Sequence, residues 1–282
     1  MSTGRIDISG VTKRFTVGGN RLTALQEIDL AIAPGEFVTI VGTSGCGKST
    51  LLRLIAGLDS ASSGRIAHDG VPVSGPDLSR GLVFQEPRLF PWLTVADNIA
   101  TALATAKLSR EAKRAAVATH LTLVGLRGFE DAWPYQLSGG MAQRAAIARG
   151  LINRPGVLLL DEPFGALDAL TRARLQDELL GIWARERTTM VLVTHDVEEA
   201  VYLGDRVVVM SPRPGRIKDV FGVALDRPRD RAAPEFARLR RNVLSVLEGD
   251  TSVAANGARI DAGPQVAMVA RTVFELIQGA KT

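Results

Sequence analysis

The sequence of 282 residues contains a single cysteine, Cys46. One cysteine excludes a disulfide within the chain and any metal site built from several cysteines. Apolar residues make up 46% of the chain, yet no apolar run approaches the roughly 18 residues that a membrane-spanning helix needs. Residues 1–7 also lack the apolar core of a signal peptide. We therefore expect a cytosolic chain without membrane-spanning segments.

Positive charge is in slight excess, and it is unevenly distributed. The formal net charge is +4; positions 213–282 hold 12 basic and 8 acidic residues, whereas positions 1–212 carry equal numbers of each sign. The length suffices for one large α/β core and a smaller appended part. No nucleic-acid partner is expected.

The most informative motif spans residues 42–50 and reads Gly-Thr-Ser-Gly-Cys-Gly-Lys-Ser-Thr, a complete Walker A phosphate-binding loop. It follows the apolar residues 37–41, which predict a buried strand, and it precedes a helical pattern. Glycine permits backbone conformations in which successive N–H groups point at one anion. The sequence therefore predicts a nucleotide-binding site.

Each residue type in this loop has an expected role. Lys48 is predicted to reach the β- and γ-phosphates, and the Ser49 hydroxyl to ligate Mg²⁺. The helix that begins near Lys48 directs the positive end of its dipole at the same phosphates. Cys46 is interpreted as a small filler whose alkylation blocks nucleotide binding, and Thr50 as helix surface or packing. The loop residues predicted at the nucleotide are Gly42, Thr43, Ser44, Gly45, Cys46, Gly47, Lys48, Ser49 and Thr50.

The first half of the chain changes from strand-like to helical patterns. Short β-like runs at residues 6–8, 22–25 and 28–32 predict an antiparallel sheet beside the nucleotide site. Residues 97–124 are rich in Ala and Leu at helical spacing and predict a helical insertion, with Ser109 as an N-cap.

From Ser138 onward, helical and strand patterns alternate, which indicates a parallel sheet with helices on its faces. Asp196 and Glu199 have the spacing of a capping box, with Asp in place of Ser or Thr. Helices are predicted at 138–152, 168–185 and from 196, and strands at 157–161, 189–194 and 206–211.

Two adjacent carboxylates, Asp161 and Glu162, follow the apolar residues 157–160. Open α/β sheets bind ligands at the C-terminal ends of their strands. Asp161 is predicted to hold Mg²⁺, directly or through water, and Glu162 to polarise the attacking water as a general base. Taken alone, such a pair is also compatible with the start of a solvated loop.

Residues 137–144, Leu-Ser-Gly-Gly-Met-Ala-Gln-Arg, resemble the signature of the ATP-binding cassette (ABC) ATPases. That family uses Ser and Gly donors at a helix N-terminus to bind the γ-phosphate held by a second subunit. The matching residues here are Ser138, Gly139 and Gly140. The resemblance covers about residues 6–217.

Four more residues match family motifs in the family's order. Gln85 is similar to the glutamine that meets the metal and the attacking water and links them to the membrane partner. His195 matches the switch histidine that hydrogen-bonds the γ-phosphate, and Asp168 matches the D-loop residue that supports the dimer and the opposite site. Phe15 matches the aromatic residue that stacks on adenine, although from the residues alone it could equally be a packing residue.

The resemblance implies an α/β fold: a P-loop NTPase ABC cassette with a mixed-sheet core, an antiparallel β flank and an α-helical signature subdomain. The core and flank are assigned to residues 1–85 and 153–217, the helical subdomain to residues 86–152, and a C-terminal helical extension to residues 218–282. The implied cofactors are ATP and Mg²⁺. The metal is assigned to Ser49, Gln85 and Asp161, and catalysis to Lys48, Gln85, Glu162 and His195.

The same resemblance implies partners. Because each ATP touches the phosphate loop of one subunit and the signature of another, a second ATPase subunit is required, and a homodimer is expected. Permease subunits in the membrane are direct partners, and a periplasmic or extracellular solute-binding protein is an indirect one. The chain is accordingly expected at the cytoplasmic face of the cell membrane, attached through the permease.

Two stretches, residues 85–95 and 211–217, look like the ATPases of nitrate, sulfonate and taurine importers. Leu89, Phe90 and Trp92 are predicted to form a semi-exposed apolar cleft for a short permease helix, or else a hydrophobic hinge of the subdomain. The alternatives are the ATPase of another small-solute importer, or a regulatory module that no longer hydrolyses ATP. The intact catalytic set argues against the regulatory module.

Residues 218–282 include two segments with helical periodicity, 235–247 and 266–277, joined by a linker near residues 250–263. Arg238, Arg240 and Arg241 are interpreted as solvated charge on a helix face. The alternative is contact with anionic lipid headgroups beside a transporter.

Overall fold

The structure is a computed structural model that describes residues 3–249. Its strands are β1 (Ile6–Val17), β2 (Asn20–Ile32), β3 (Phe37–Gly42), β4 (Ser63–His68), β5 (Val71–Pro72), β6 (Arg80–Val83), β7 (Val157–Asp161), β8 (Thr189–Thr194), β9 (Arg206–Met210) and β10 (Ile217–Gly222). Its helices are α1 (Lys48–Ala56), α2 (Val95–Ala100), α3 (Arg110–Leu123), α4 (Gly139–Leu151), α5 (Ala169–Glu186), α6 (Val197–Leu203) and α7 (Pro234–Glu248).

The strands form two sheets. A six-stranded sheet has the order β10-β9-β3-β8-β7-β6, and all its pairs are parallel except β9 with β10. A four-stranded antiparallel sheet has the order β2-β1-β4-β5. The strand β3 that leads into the phosphate loop is therefore central in the large sheet, and its end lies beside the end of β8.

Alternating side chains of the large sheet face two separate cores. In β3, Val38 and Ile40 pack with α1 and the small sheet, whereas Phe37 and Val41 pack with α4, α5, α6 and α7. Successive strand residues point to opposite faces, so both faces of a parallel sheet covered on two sides must be apolar. Each such fully buried side chain contributes about 1.5–3 kcal/mol. This double burial fixes the strand ends that carry the site.

The antiparallel flank is longer than the short predicted runs. β1 and β2 pair from Ile6↔Ile32 out to Val17↔Asn20, with irregular register between Ile8 and Arg14. Beyond Lys13 most side chains of this hairpin are exposed on both faces, so the sequence there has no apolar alternation to read. Backbone pairing nevertheless continues and extends the hairpin alongside the nucleotide cavity.

The predicted helical insertion is confirmed as helical, though it is divided. α2, a 3₁₀ turn at Thr101–Leu103 and α3 occupy the predicted span, and the Ser109 side chain accepts a hydrogen bond from the N–H of Ala112 as the N-cap of α3. The later predictions also agree closely, since β7 and β8 have the predicted bounds and β9 ends one residue early.

The predicted capping box at α6 is half right. Asp196 accepts hydrogen bonds from the N–H groups of Glu198 and Glu199, but its own N–H donates to Thr194 Oγ1 rather than to Glu199. The Glu199 side chain instead lies buried, 5% exposed. Burial, aided by the negative charge of Asp196, raises the pKa of Glu199 to about 8.

The C-terminal segment is packed on the large sheet. The helix predicted at residues 235–247 is α7, which contacts α6, β9 and β10. Arg240 donates to the Glu198 carboxylate at 2.7 Å, so its reading as solvated charge is wrong; Arg238 and Arg241 are exposed. The linker and helix predicted after residue 249 lie outside the described residues.

A helix able to cross a membrane needs both length and sustained apolarity. Within residues 3–249, no helix meets both requirements.

Candidate functional site

The phosphate loop connects β3 to α1. β3 is buried along its whole length, and α1 is anchored below the loop by Leu51, Leu52 and Ile55. Gly47, the residue before α1, has φ of +103°, and a Cβ there would stand 2.6 Å from Leu25 Cδ2. Only glycine satisfies both conditions, because the left-handed conformation and the contact each exclude a side chain.

Lys48 is folded into the loop. It is 4% exposed, and its Nζ donates to the carbonyl oxygens of Gly42 at 2.8 Å and Thr43 at 3.3 Å. An ammonium group bonded to neutral carbonyls keeps its full charge, so this cation remains available to an anion in the loop.

A hydroxyl and a carboxylate from two distant chain segments meet beside the loop. Ser49 Oγ donates to Asp161 Oδ1 at 2.8 Å. Burial raises the pKa of Asp161, while the bond from Ser49 opposes that rise. Oxygen donors of this kind suit Mg²⁺, which commonly takes one or two protein ligands and completes its shell with phosphate and water. The pair therefore fits the predicted metal ligands, with Gln85 as a third nearby oxygen donor.

Glu162 has a strained backbone at the end of β7. Its φ is +44°, which is uncommon for a residue with a side chain and recurs at functional sites. Its N–H donates to the carbonyl of Val193 at 3.0 Å, which ties the residue to β8. This backbone conformation turns the carboxylate toward two basic partners.

Those partners are His195 and Lys48. His195 Nδ1 lies 3.0 Å from Glu162 Oε2, and Lys48 Nζ lies 3.9 Å from Glu162 Oε1. The His195 side chain is 63% exposed, so one edge of its ring remains open to solvent. Lys48, Glu162 and His195 are thus in one chain of contacts.

These residues border a cavity of about 590 Å³. The predicted residues that line it are Phe15, Ser44, Gly45, Gly47, Lys48, Ser49, Thr50, Gln85 and Glu162. Asp161 and His195 reach it through their contacts with Ser49 and Glu162. Phe15 therefore lies at the cavity, with Lys13 Nζ 4.8 Å from its ring centroid, rather than in the interior.

The signature residues do not line this cavity. Ser138 is exposed and caps α4 by accepting a bond from the N–H of Met141, and a Cβ on Gly140 would stand 2.7 Å from Thr171 Cγ2. Asp168, also exposed, caps α5 through the N–H groups of Leu170 and Thr171, and the bonds from Thr171 lower its pKa. This placement is the one expected of groups that serve a second copy.

Cys46 is the predicted loop residue whose placement differs most. Its side chain is 1% exposed and belongs to the core beneath the loop, and burial raises its thiol pKa. Gly42 and Thr43 likewise do not line the cavity. The Cys46 side chain therefore packs in the core and does not line the cavity.

Sequence reasoning missed four residues that line the cavity: Leu22, Thr23, Ala24 and Arg213. The first three lie within the β-like run predicted at residues 22–25, to which no role at the nucleotide was assigned. Arg213 belongs to the stretch at residues 211–217, which was interpreted only as a mark of one transporter branch. Its position beside the loop depends on strand β9 lying next to β3, and no local pattern reports that pairing.

Comparison with known proteins places this geometry in a family. A family model described as ABC transporter matches residues 25–165. An uncharacterized ABC transporter ATP-binding protein of Methanocaldococcus jannaschii is 50% identical over 246 residues, which cover 87% of this chain and 92% of the relative. The aliphatic sulfonates import ATP-binding protein SsuB of Bacillus subtilis is 50% identical over 243 residues, covering 86% and 94%.

Solved structures of ABC cassettes are also similar to this chain. A dimeric structure of a bacterial ABC transporter cassette matches with a TM-score of 0.70 at 34% identity, covering 77% of this chain and 98% of that one. A dimeric post-hydrolysis state of an ATP-binding cassette, bound to ADP and Pi, matches with a TM-score of 0.69 at 32% identity and the same coverage. The predicted fold class is confirmed, and the chain belongs to the ABC transporter family as an ATP-binding, ATP-hydrolysing cassette.

Proposed function

We propose that this chain energises the uptake of a small anionic solute of the aliphatic sulfonate type, as the ATPase subunit of an importer. The observation that carries the proposal is the 50% identity to the Bacillus subtilis sulfonate import protein across 94% of that relative. The stretches at residues 85–95 and 211–217 support the same branch. Nitrate and taurine transport are related possibilities within the predicted solute class.

We infer that ATP lies in the cavity with its phosphates in the loop. The N–H groups around Gly45 and Gly47 and the N-terminus of α1 offer the donors, and Lys48 offers the charge. Lys48 exchanges its two carbonyl partners for phosphate oxygens. Phe15 also lines the cavity and is available to stack on the base.

Ser49, Asp161 and Gln85 are proposed to hold the Mg²⁺. When bound, the ion neutralises charge that develops on the phosphate oxygens during phosphoryl transfer. Because Asp161 is partly buried, less water surrounds its carboxylate, and the electrostatic attraction between the carboxylate and a neighbouring cation is stronger.

Glu162 is proposed as the general base. A water positioned by its carboxylate attacks the γ-phosphorus, the bond to the bridging oxygen breaks, and Glu162 accepts the proton of that water. His195 holds the carboxylate through Nδ1 and has an exposed edge that can meet the γ-phosphate. The strained backbone of Glu162 fixes the carboxylate in advance, so little reorganisation is needed.

Each site is proposed to require two copies of the chain. The signature residues Ser138, Gly139 and Gly140 lie outside the cavity of their own chain, at the N-terminus of α4. An exposed helix N-terminus with a free set of N–H groups attracts phosphate, and a second copy can present it across an interface. Dimeric assembly in two structural relatives supports this arrangement.

The permease is proposed to contact the loop at residues 89–93. Trp92 is 68% exposed, and its ring lies 5.5 Å from that of Phe90, so an apolar patch faces solvent. Buried Asn98 fixes this loop by donating to the carbonyls of Phe90, Leu93 and Thr94 and accepting from the N–H of Phe90. A rigid apolar patch beside Gln85 can transmit movement between the nucleotide and a membrane helix. The chain would thus sit at the cytoplasmic face of the membrane, with a solute-binding protein on the other side.

Growth of a deletion strain tests the transport proposal. The gene is removed from its host, and growth is measured with an aliphatic sulfonate, taurine or sulfate as sole sulfur source, and with nitrate as sole nitrogen source. We expect loss of growth on the sulfonate, restored by the wild-type gene and not by Glu162→Gln. Normal growth on sulfonate, taurine and nitrate in a strain without a second cassette of this type would contradict the solute class.

A further inference from the structure

We propose that Arg213 is a second cation of the nucleotide site and binds the polyphosphate of ATP beside Lys48. This inference rests on nucleotide binding in the cavity described above. Arg213 lines that cavity together with Gly45, Lys48 and Glu162. Its Nη2 lies 3.1 Å from the point that a Cβ on Gly45 would occupy, so the guanidinium rests directly against the phosphate loop.

The segment that carries Arg213 is firmly positioned. Gly215 donates its N–H to the carbonyl of Ala24, and its carbonyl accepts from Gln26, each at 2.9 Å. A Cβ on Gly215 would stand 2.0 Å from the carbonyl oxygen of Cys46, so only glycine permits this approach to the loop. The backbone of the segment is thus fixed against both β2 and the phosphate loop, which places the Arg213 side chain at the loop.

Within residues 3–249, Arg213 makes no hydrogen bond or ion pair. A guanidinium offers five N–H donors in a fork that matches phosphate oxygens, and it stays charged at any physiological pH. Arg213 and Lys48 line the same cavity, where the Glu162 carboxylate lies 3.9 Å from Lys48 Nζ, and an anion with several charges would stabilise both cations. A di- or triphosphate meets that requirement.

Phosphate is favoured over the base as the group that Arg213 binds. The residue leans on Gly45, in the turn whose N–H groups surround the phosphates in this motif. Phe15 is the residue proposed to stack on the base. A base contact would change the preference between adenine and guanine nucleotides, whereas a phosphate contact would weaken both equally.

The test is calorimetric titration of the full chain with ADP and with GDP. We expect Arg213→Ala to weaken ADP and GDP binding by the same factor, about 10-fold, as for loss of a charge-assisted hydrogen bond. Arg213→Lys should weaken binding less than Arg213→Ala. Arg216→Ala is the matched control, because Arg216 is exposed in the same segment and does not line the cavity; it should bind as wild type. Thermal unfolding of each variant confirms that it is folded.

Two results would overturn the proposal: Arg213→Ala binding ADP within twofold of wild type, or an altered ratio of ADP to GDP affinity, which would assign Arg213 to the base. The variant Lys48→Ala separates the role of Arg213 from the assignment of the cavity as the nucleotide site. If Lys48→Ala leaves ADP binding unchanged, nucleotide does not bind in this cavity, and the proposed site itself fails. If only Lys48→Ala weakens binding, the site holds and the role of Arg213 is wrong.

Discussion

Two groups of basic residues in this chain are used in opposite ways. At the nucleotide cavity, Lys48 donates to two neutral carbonyls and lies 3.9 Å from the Glu162 carboxylate, and Arg213 has no partner within residues 3–249. In the C-terminal segment, Arg227 pairs with Asp205, Arg231 with Glu198, and Arg229 with backbone carbonyls. Charge left unpaired is available to an anion, and charge already paired holds the fold.

Arg229 shows the structural use most clearly. It is 6% exposed, and its Nη1 donates to the carbonyls of Val201, Tyr202 and Gly204. These are the groups left open at the C-terminal end of α6, where a cation is also favoured by the helix dipole. Burial lowers the pKa of Arg229 to about 10, so it stays charged at neutral pH. Residues 218–249 therefore help to hold α6, the helix that follows His195.

The largest effect should come from Glu162→Gln. Loss of a general base is expected to lower steady-state ATP turnover by about 100- to 10,000-fold, with little change in stability. Phosphate release from the full chain measures it. Glu235→Gln removes a carboxylate from the exposed start of α7 and should leave turnover unchanged. Turnover of Glu162→Gln near wild type would remove Glu162 from the base role.

Arg229→Met is expected to lower stability without changing nucleotide binding. Three carbonyls at the end of α6 lose their donor, which should lower the free energy of unfolding by about 3 kcal/mol, while ADP affinity of the folded protein stays the same. Urea denaturation measures the loss, and Arg238→Met, at an exposed position of α7, should change it by less than about 0.5 kcal/mol. Equal stabilities for the two variants would mean that Arg229 does not hold α6.

Glu199→Gln tests how a buried carboxyl group changes the stability of the protein with pH. The folded-state pKa of Glu199, about 8, exceeds its ordinary value of 4.5. Between those pH values the unfolded chain releases a proton that the folded chain retains, so wild-type stability falls as pH rises. The melting temperature of Glu199→Gln should match wild type below pH 4.5 and exceed it increasingly up to about pH 8. A constant difference across this range would contradict the raised pKa.

The smallest effect concerns Cys46. Because the thiol is buried and its pKa is raised, alkylation of the folded chain should be at least about tenfold slower than that of the same chain in denaturant. Mass spectrometry follows the reaction, and the denatured chain is its own control because Cys46 is the only cysteine. Equal alkylation rates for the folded and denatured chains would mean that the thiol is exposed in the cavity.

The sequence was sufficient for what depends on local pattern. β3 and β7 are short apolar runs with a motif at the end, and the helix caps Ser109 and Asp168 are visible as residue types. The carboxylate pair and the phosphate loop were predicted as one site because strand ends share one edge of a parallel sheet, and Ser49 does meet Asp161.

What the sequence did not reveal depends on contacts between distant segments. Arg213 reaches the loop because β9 pairs with β3, and Arg240 finds Glu198 because α7 packs on α6. The burial of Cys46 and the left-handed backbone of Glu162 likewise arise from the packing of loop against core. Residue type alone cannot distinguish an arginine that binds phosphate from an arginine that caps a helix.

The central claim is that a second copy of the chain completes the cavity in which ATP is hydrolysed. The most direct test is to measure the molecular mass of the Glu162→Gln variant in solution. Light scattering is measured with ATP, with ADP and without nucleotide, alongside a double variant that adds Ser138→Arg at the signature. We predict a dimer of Glu162→Gln with ATP, and monomers in every other case, including the double variant with ATP bound. A Glu162→Gln chain that binds ATP and remains a monomer would contradict the shared site.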